Sequence, residues 1–200
     1  MTGEPIEQVR SGMQMLVAAL KQDPQALETA YLSVITFNSN AQQASPLTEL
    51  AMFQAPDINA SGTTSMGAAL TLVADCASRE VTTSTAEVKG DWKPMVWVLS
   101  DGVPTDDLET GIKSFKAQSW GKVIALAVND GDADTLKKIT PDVVSLETAN
   151  PGAMAAFFEW MSTSVKSVSA KLEKDGVDDS GESSGLNELP PPPPEINVQI

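Results

Sequence analysis

Two hundred residues, 42% of them hydrophobic, give room for one ordinary domain and a tail. A net charge of −14 with no Lys/Arg cluster argues against nucleic acid and membrane as partners, since both demand a basic footprint, and leaves cations as ligands for an acidic surface. Histidine is absent and cysteine occurs once, at Cys76, which excludes Ser-His-Asp and Cys-His nucleophiles, an intramolecular disulfide and the usual zinc or iron sites. Any metal must therefore be a hard cation held by oxygen: Mg²⁺, Mn²⁺ or Ca²⁺. No apolar run approaches the roughly 20 residues that cross a bilayer, and the N-terminus has no signal-peptide pattern. With the lone cysteine, this points to the cytoplasm.

In chain order, Ile6, Val9, Met13, Leu16, Val17 and Leu20 fall on one helical face, with Pro5 in the first turn where its missing N–H costs little. Asp23-Pro24 ends that helix. Tyr31–Phe37, YLSVITF, is a β-branched and aromatic run that predicts a strand; Asn38-Ser39-Asn40 turns it, and Gln42–Leu47 returns antiparallel. Thr48–Phe53 reads as a helical turn. Ser61-Gly62-Thr63-Thr64-Ser65 then opens a helix with Met66, Leu70, Val73 and Ala77 on its apolar face. Val81–Lys93 is polar and aperiodic, a long surface loop. Met95–Leu99 is the next strand, followed by a helix from Asp107 to about Ala117; Asp106 and Asp107 read as start residues of that helix, favoured by its dipole. Lys122–Val128 is a continuous apolar run, Thr135–Ile139 a small helix, and Val143–Leu146 a short strand. The last helix carries Met154, Phe157, Phe158, Met161, Val165, Val168 and Leu172, a stripe covering too few heptads for a coiled coil and suited to packing on a sheet.

Strands that read as near-continuous Val/Ile/Leu runs, alternating with helices, predict an α/β fold: a doubly wound, mostly parallel sheet with helices on both faces. The domain spans residues 1–172. From Glu173 the chain turns acidic, with seven acids against Lys174, and rich in Gly and Ser; Pro190–Pro194 follows. Residues 173–200 therefore read as a disordered acidic and proline-rich tail, either simply solvating or a docking peptide gripped through Leu189, Ile196, Val198 and Ile200.

The stretch MVWVLSDGVPTDD, Met95–Asp107, raises the functional question. Ligands of open α/β sheets bind at the carboxyl ends of strands. Asp101 leaves its strand there, and Gly102 lets the backbone turn away while the carboxylate stays in the crevice. The Ser61–Ser65 segment should arrive at the same edge because it precedes a helix. Its hydroxyls and Asp101 would then meet at one oxygen-lined point, which suits Mg²⁺. The plainer alternatives are a tight turn at Asp101-Gly102 and an N-cap at Ser-Gly-Thr-Thr.

These residues carry a family resemblance. SGTTSMGAAL at Ser61–Leu70 and VWVLSDGVPTDD at Val96–Asp107 resemble the von Willebrand factor A (VWA) family, and more narrowly its bacterial tellurite-resistance-associated, TerY-like group. Gly3–Val9, Tyr31–Phe37, Ala155–Trp160 and the PPPPPE end extend the likeness over most of the chain. The resemblance implies the α/β sandwich already argued. It also implies a metal-ion-dependent adhesion site, in which a divalent cation is held by D-x-S-x-S, a threonine and an aspartate. The aspartate would be Asp101 and the threonine Thr64, with Thr63 the alternative. In such sites a protein partner commonly supplies an acidic side chain to the cation, which then bridges the two. Asp106 and Asp107 have no ligand role in the pattern.

D-x-S-x-S itself is not in the sequence. In the family it ends a first strand that precedes the G-E-P-I helix and lies centrally in the sheet. The expectation is that this strand is missing from the chain, with two strand edges unpaired. Each buried backbone group left without a partner costs roughly 1–3 kcal/mol, against roughly 5–15 for a whole domain. Either the true start lies upstream of Met1 or the protein is a metal-free remnant; in both cases Mg²⁺ binding by the chain as given should be weak or absent. The leading expectation for function is a cytoplasmic, non-enzymatic interaction module, an adaptor in a stress or tellurite/metal-resistance system. The alternatives are a metal-independent scaffold using its surface and proline-rich tail, and a Mg²⁺-dependent phosphoryl-transfer enzyme. The last is disfavoured because Val103 stands where a second aspartate would be needed.

Overall fold

The computed structural model describes residues 3–83, 87, 90–129, 131–147, 151–175 and 189–199, with no account of the side chains of Pro151, 171–175 and Gln199. In chain order the elements are α1 (Glu4–Lys21), α2 (Pro24–Thr29), β1 (Tyr31–Phe37), β2 (Ala41–Glu49), α3 (Met66–Glu80), β3 (Met95–Ser100), α4 (Leu108–Lys116), β4 (Lys122–Val128), α5 (Ala133–Lys137), β5 (Val143–Leu146), α6 (Pro151–Asp175) and β6 (Asn197–Gln199).

The strands form two sheets rather than one. β1 and β2 make an antiparallel pair; β3, β4 and β5 run parallel in that order, with β6 antiparallel on the β5 edge. The period-2 alternation of a strand explains how helices cover both faces. Ile124, Leu126 and Val128 of β4 enter one core with Leu16, Leu20, Met154 and Phe157 of α1 and α6. Ala125 and Ala127 enter the other with Met66, Leu70, Ile112, Phe115 and Leu136 of α3, α4 and α5. β3 obeys the same rule: Met95, Trp97 and Leu99 face the first core, Val96 and Val98 the second. β4 is buried almost throughout, whereas β1 and β3, each with one edge unpaired among the described residues, are largely half-exposed.

Local chemistry departs from the sequence expectations in four places. Asp23-Pro24 does end α1, but it also starts α2: the Asp23 carboxylate accepts from Ala26 N at 2.9 Å, and Pro24 takes the first turn. α5 begins two residues earlier than expected because Asp132 caps it through Thr135 N. α3 buries Ala69, Ala74 and Cys76 along with Met66 and Leu70, while Val73 is only half-buried. The most consequential difference is at the C-terminus. Residues 189–199, expected to be part of a disordered tail, are ordered: Leu189 and Ile196 are buried in the first core, Trp160 Nε1 donates to the Pro190 carbonyl at 2.7 Å, and β6 pairs with β5. Two apolar anchors and a ladder on the β5 edge outweigh the polar, proline-rich composition that suggested disorder. Residues 176–188, the rest of the acidic stretch, lie outside the described residues.

Candidate functional site

β3 ends at Ser100, whose buried hydroxyl donates to the Gly102 carbonyl at 3.2 Å and so tightens the Asp101-Gly102 turn. The segment Ser61–Ser65 lies across this turn. Thr64 N donates to Thr105 Oγ1 at 3.2 Å, and Thr105 N donates back to the Thr64 carbonyl at 2.9 Å, a reciprocal staple between the two loops. A Cβ on Gly102 would lie 2.9 Å from Thr64 Oγ1, so the threonine hydroxyl packs close over the glycine that follows Asp101. Thr64 and Asp101, the two predicted ligands, are both half-buried on this rim.

Thr63 points elsewhere. Its N–H and hydroxyl both donate to Ser39 Oγ, at 3.3 and 3.4 Å, in the turn after β1. Ser65 N donates to the Asn38 carbonyl at 2.8 Å, and Asn38 Nδ2 to Ser61 Oγ at 3.2 Å. Gly62 sits at φ +72°, where a side chain would be strained and would also overlap the Ser39 hydroxyl. The five-residue segment thus touches the carboxyl end of β1 on one side and that of β3 on the other. It ties together two strands that share no ladder.

The expectation that Ser-Gly-Thr-Thr supplies its own helix cap does not hold, since Ser65 makes no side-chain cap. The cap comes from Asp106. Its Oδ1 accepts from Gly67 N at 3.0 Å and its Oδ2 from Ala68 N at 2.8 Å. Asp106 was expected at the start of its own helix; only Asp107 does that, accepting from Thr110 N at 3.1 Å. Asp107 titrates below the ordinary aspartate value because the Thr110 hydroxyl and then its N–H bond the charged form. The doublet Asp106-Asp107 starts two helices, one forward and one 39 residues back. The one sequence signal for this was the doublet itself, since a single helix start uses only one cap.

Gly67 and Gly111 let α3 and α4 cross with their backbones in contact: a Cβ on Gly111 would overlap the Gly67 carbonyl, and one on Gly67 the Asp107 carbonyl. The loop 101–107 is therefore fixed at both ends, with Val103 standing 61% exposed at its tip. Sequence reasoning used Val103 only as a missing aspartate; its exposure beside Asp101 gives the rim an apolar contact point. As metal donors, the rim offers one hydroxyl and one carboxylate. Among the described residues no three Asp, Glu or Cys side chains share a site that could hold an ion.

No helix among the described residues is long and apolar enough to cross a membrane. No curated protein matches the chain. Solved structures do: a von Willebrand factor type A protein from Catenulispora acidiphila has a TM-score of 0.56 at 16% identity, covering 81% of this chain and 38% of that one. Proximal thread matrix protein 1 from the mussel byssus gives 0.55 at 18%, covering 81% and 43%. The conserved hypothetical protein BatB from Bacteroides thetaiotaomicron gives 0.52 at 16%, covering 83% and 88%. This chain spans under half the length of the first two, and identities this low establish the fold alone. A family model for the von Willebrand factor type A domain matches residues 1–170, and with the two-faced α/β sheet this makes the chain a member of that family.

Proposed function

We propose that this protein is an interaction module whose contact point is the rim where Thr64 meets the Asp101-Gly102 turn. It would grip a protein partner through a divalent cation, Mg²⁺ by the hardness of the donors, to which the partner adds an acidic side chain. Domains of this family generally mediate protein–protein contacts and commonly hold a divalent metal. The observation that carries the reading is the approach of Thr64 Oγ1 to Gly102, which puts hydroxyl and carboxylate residues side by side at the carboxyl edge of β3. Exposed Val103 adds an apolar contact beside them.

The fit is partial. A hard cation takes about six oxygens, and one hydroxyl with one carboxylate compete poorly with water for it. We read the division between β1 and β3 as the place of a further strand that brings the remaining oxygens as Asp-x-Ser-x-Ser. The half-exposed edges on both sides, and the single loop that joins their ends, support this. The likeness of Ser61–Leu70 and Val96–Asp107 to the TerY-like group supports a cytoplasmic adaptor role in a stress or tellurite/metal-resistance system.

The test compares this chain with one extended by the residues encoded in frame ahead of Met1. Calorimetric titration with Mg²⁺ should give weak or no binding for the first and clear binding for the second, lost in Asp101→Ala and Thr64→Ala. Mg²⁺ binding that survives both substitutions would sink the site; upstream codons that encode no such strand would sink the proposed completion.

A further inference from the structure

The C-terminal segment reaches the sheet after thirteen residues, 176–188, which separate it from α6 and are rich in Gly, Ser and acids. It is attached by two physically distinct devices. At Pro190 the Trp160 indole N–H donates to the main-chain carbonyl, and Trp160 is backed edge-on by Trp97, with ring centroids 5.3 Å apart. Leu189 and Ile196 bracket the proline run and enter the same core, at 8% and 5% exposure. At Asn197–Gln199 the chain turns into a short ladder on β5, pairing Ser145 with Asn197 and Val144 with Val198.

Each device is a way of holding a foreign peptide. A proline run has no N–H and a preset φ, so it loses little entropy on docking and offers its carbonyls as main-chain handles. An aromatic wall carrying an indole donor reads those handles, and an open strand edge reads the main chain of any extended segment. Three residues of ladder and two apolar anchors make a modest interface by the standards of a strand built into a sheet.

We propose that the Trp160 indole and the β5 edge together form a peptide-recognition site, and that residues 189–199 are its built-in ligand, bound in cis. Its outside occupant is a protein segment of the same chemistry: a proline run flanked by one apolar residue on each side and continued as a short strand. Such a segment competes with a tail tethered to the same chain, so binding from outside requires release of the tail.

The experiment uses the full chain with a protease recognition sequence built into 176–188 and cut only after folding. The probe is a fluorophore-labelled synthetic peptide of residues 187–200. Expected are exchange of the cut fragment for the labelled peptide with an unchanged far-ultraviolet circular dichroism spectrum, and no exchange with a scrambled peptide. Peptides carrying Leu189→Asp or Ile196→Asp should fail to compete, a result that leaves the folding of the body untouched. Trp160→Phe in the body should weaken the peptide about fivefold, the worth of one hydrogen bond. The proposal is overturned if the cut fragment never exchanges, if its departure unfolds the chain, or if the scrambled peptide binds as well.

Discussion

Asp106 holds the first turn of a helix that begins at Met66: its two carboxylate oxygens accept from Gly67 N and Ala68 N at 3.0 and 2.8 Å. The same helix start carries Thr64 at its threshold, so the cap also fixes one wall of the candidate site to the loop that bears the other. Removing the carboxylate leaves two N–H groups without acceptors. Asp106→Ala should destabilise the domain by about 1–2 kcal/mol, and Asp106→Asn by less because one oxygen remains. The midpoint of urea unfolding at unchanged slope measures this. A shift no larger than that of a surface control such as Glu28→Ala would show that the cap contributes nothing.

A different constraint operates where α3 crosses α4. The obstacle to a Cβ on Gly111 is the backbone of Gly67, and backbone cannot swing aside as a side-chain tip can. Gly111→Ala, which on helix propensity alone should stabilise α4, is expected to destabilise by about 3 kcal/mol through overpacking. Thermal unfolding of the variant decides the sign: a raised midpoint would mean that the helices separate at little cost.

The acid limb of stability should report the caps at Asp107 and Asp132. Both carboxyls sit below the ordinary value of 3.8, held there first by the hydroxyls of Thr110 and Thr135 and then by the backbone N–H groups of the same residues. A folded-state value below the unfolded one means that the stabilisation is complete above the unfolded value and fades as pH falls through the folded one. The loss therefore belongs below about pH 4. Replacing Thr110 and Thr135 with Val should move the two carboxyl titrations, followed by NMR, up toward 3.8. Unmoved titrations would assign the shifts to something other than the hydroxyls.

How much of this was legible in the sequence follows from how local each cause is. Lys122–Val128 could be read as a buried strand because both its faces are apolar, and the two cores claim alternate residues of it. The meeting of Thr64 with the Asp101 turn followed from topology, since one precedes a helix and the other follows a strand. The choice of Thr64 over Thr63 came from the family resemblance and not from topology, because adjacent hydroxyls differ only in which distant loop each one faces. Asp106 escaped for the same reason. So did the docked C-terminus: Leu189 and Ile196 are two apolar residues amid prolines, and what makes them core is Trp160 and the ladder that β6 forms with β5.

Lys122 and Asp142 form an ion pair at 2.7 Å with side chains only 7% and 15% exposed, linking the start of β4 to the approach to β5. Removing Lys122 takes the balancing cation away from a carboxylate that is only 15% exposed, so Lys122→Met should cost about 3–5 kcal/mol. Lys122→Met with Asp142→Leu should recover most of that loss, because the desolvation cost disappears with the second charge. A double-mutant cycle read by urea unfolding separates the two. If the double variant is as unstable as the single one, the pair is needed for packing and its charge is secondary.

The division of the sheet has its own observable. Among the described residues β4 has a ladder on each side, whereas β1 is paired only with β2 and β3 only with β4. An amide that faces no neighbour exchanges by local opening, and one inside a doubly flanked strand waits for a larger unfolding event. Within both Tyr31–Phe37 and Met95–Ser100, alternate amides should therefore exchange about 100-fold faster than those of Ile124–Leu126, a difference NMR hydrogen exchange resolves residue by residue. Alternation matters because amides on the paired side of the same strand serve as the internal control for overall stability. Adding the strand proposed for the division should slow only the fast set. Uniform protection along β1 and β3 in this chain would mean that their outer edges are already satisfied, leaving no place for the strand and no completion of the site at Thr64 and Asp101.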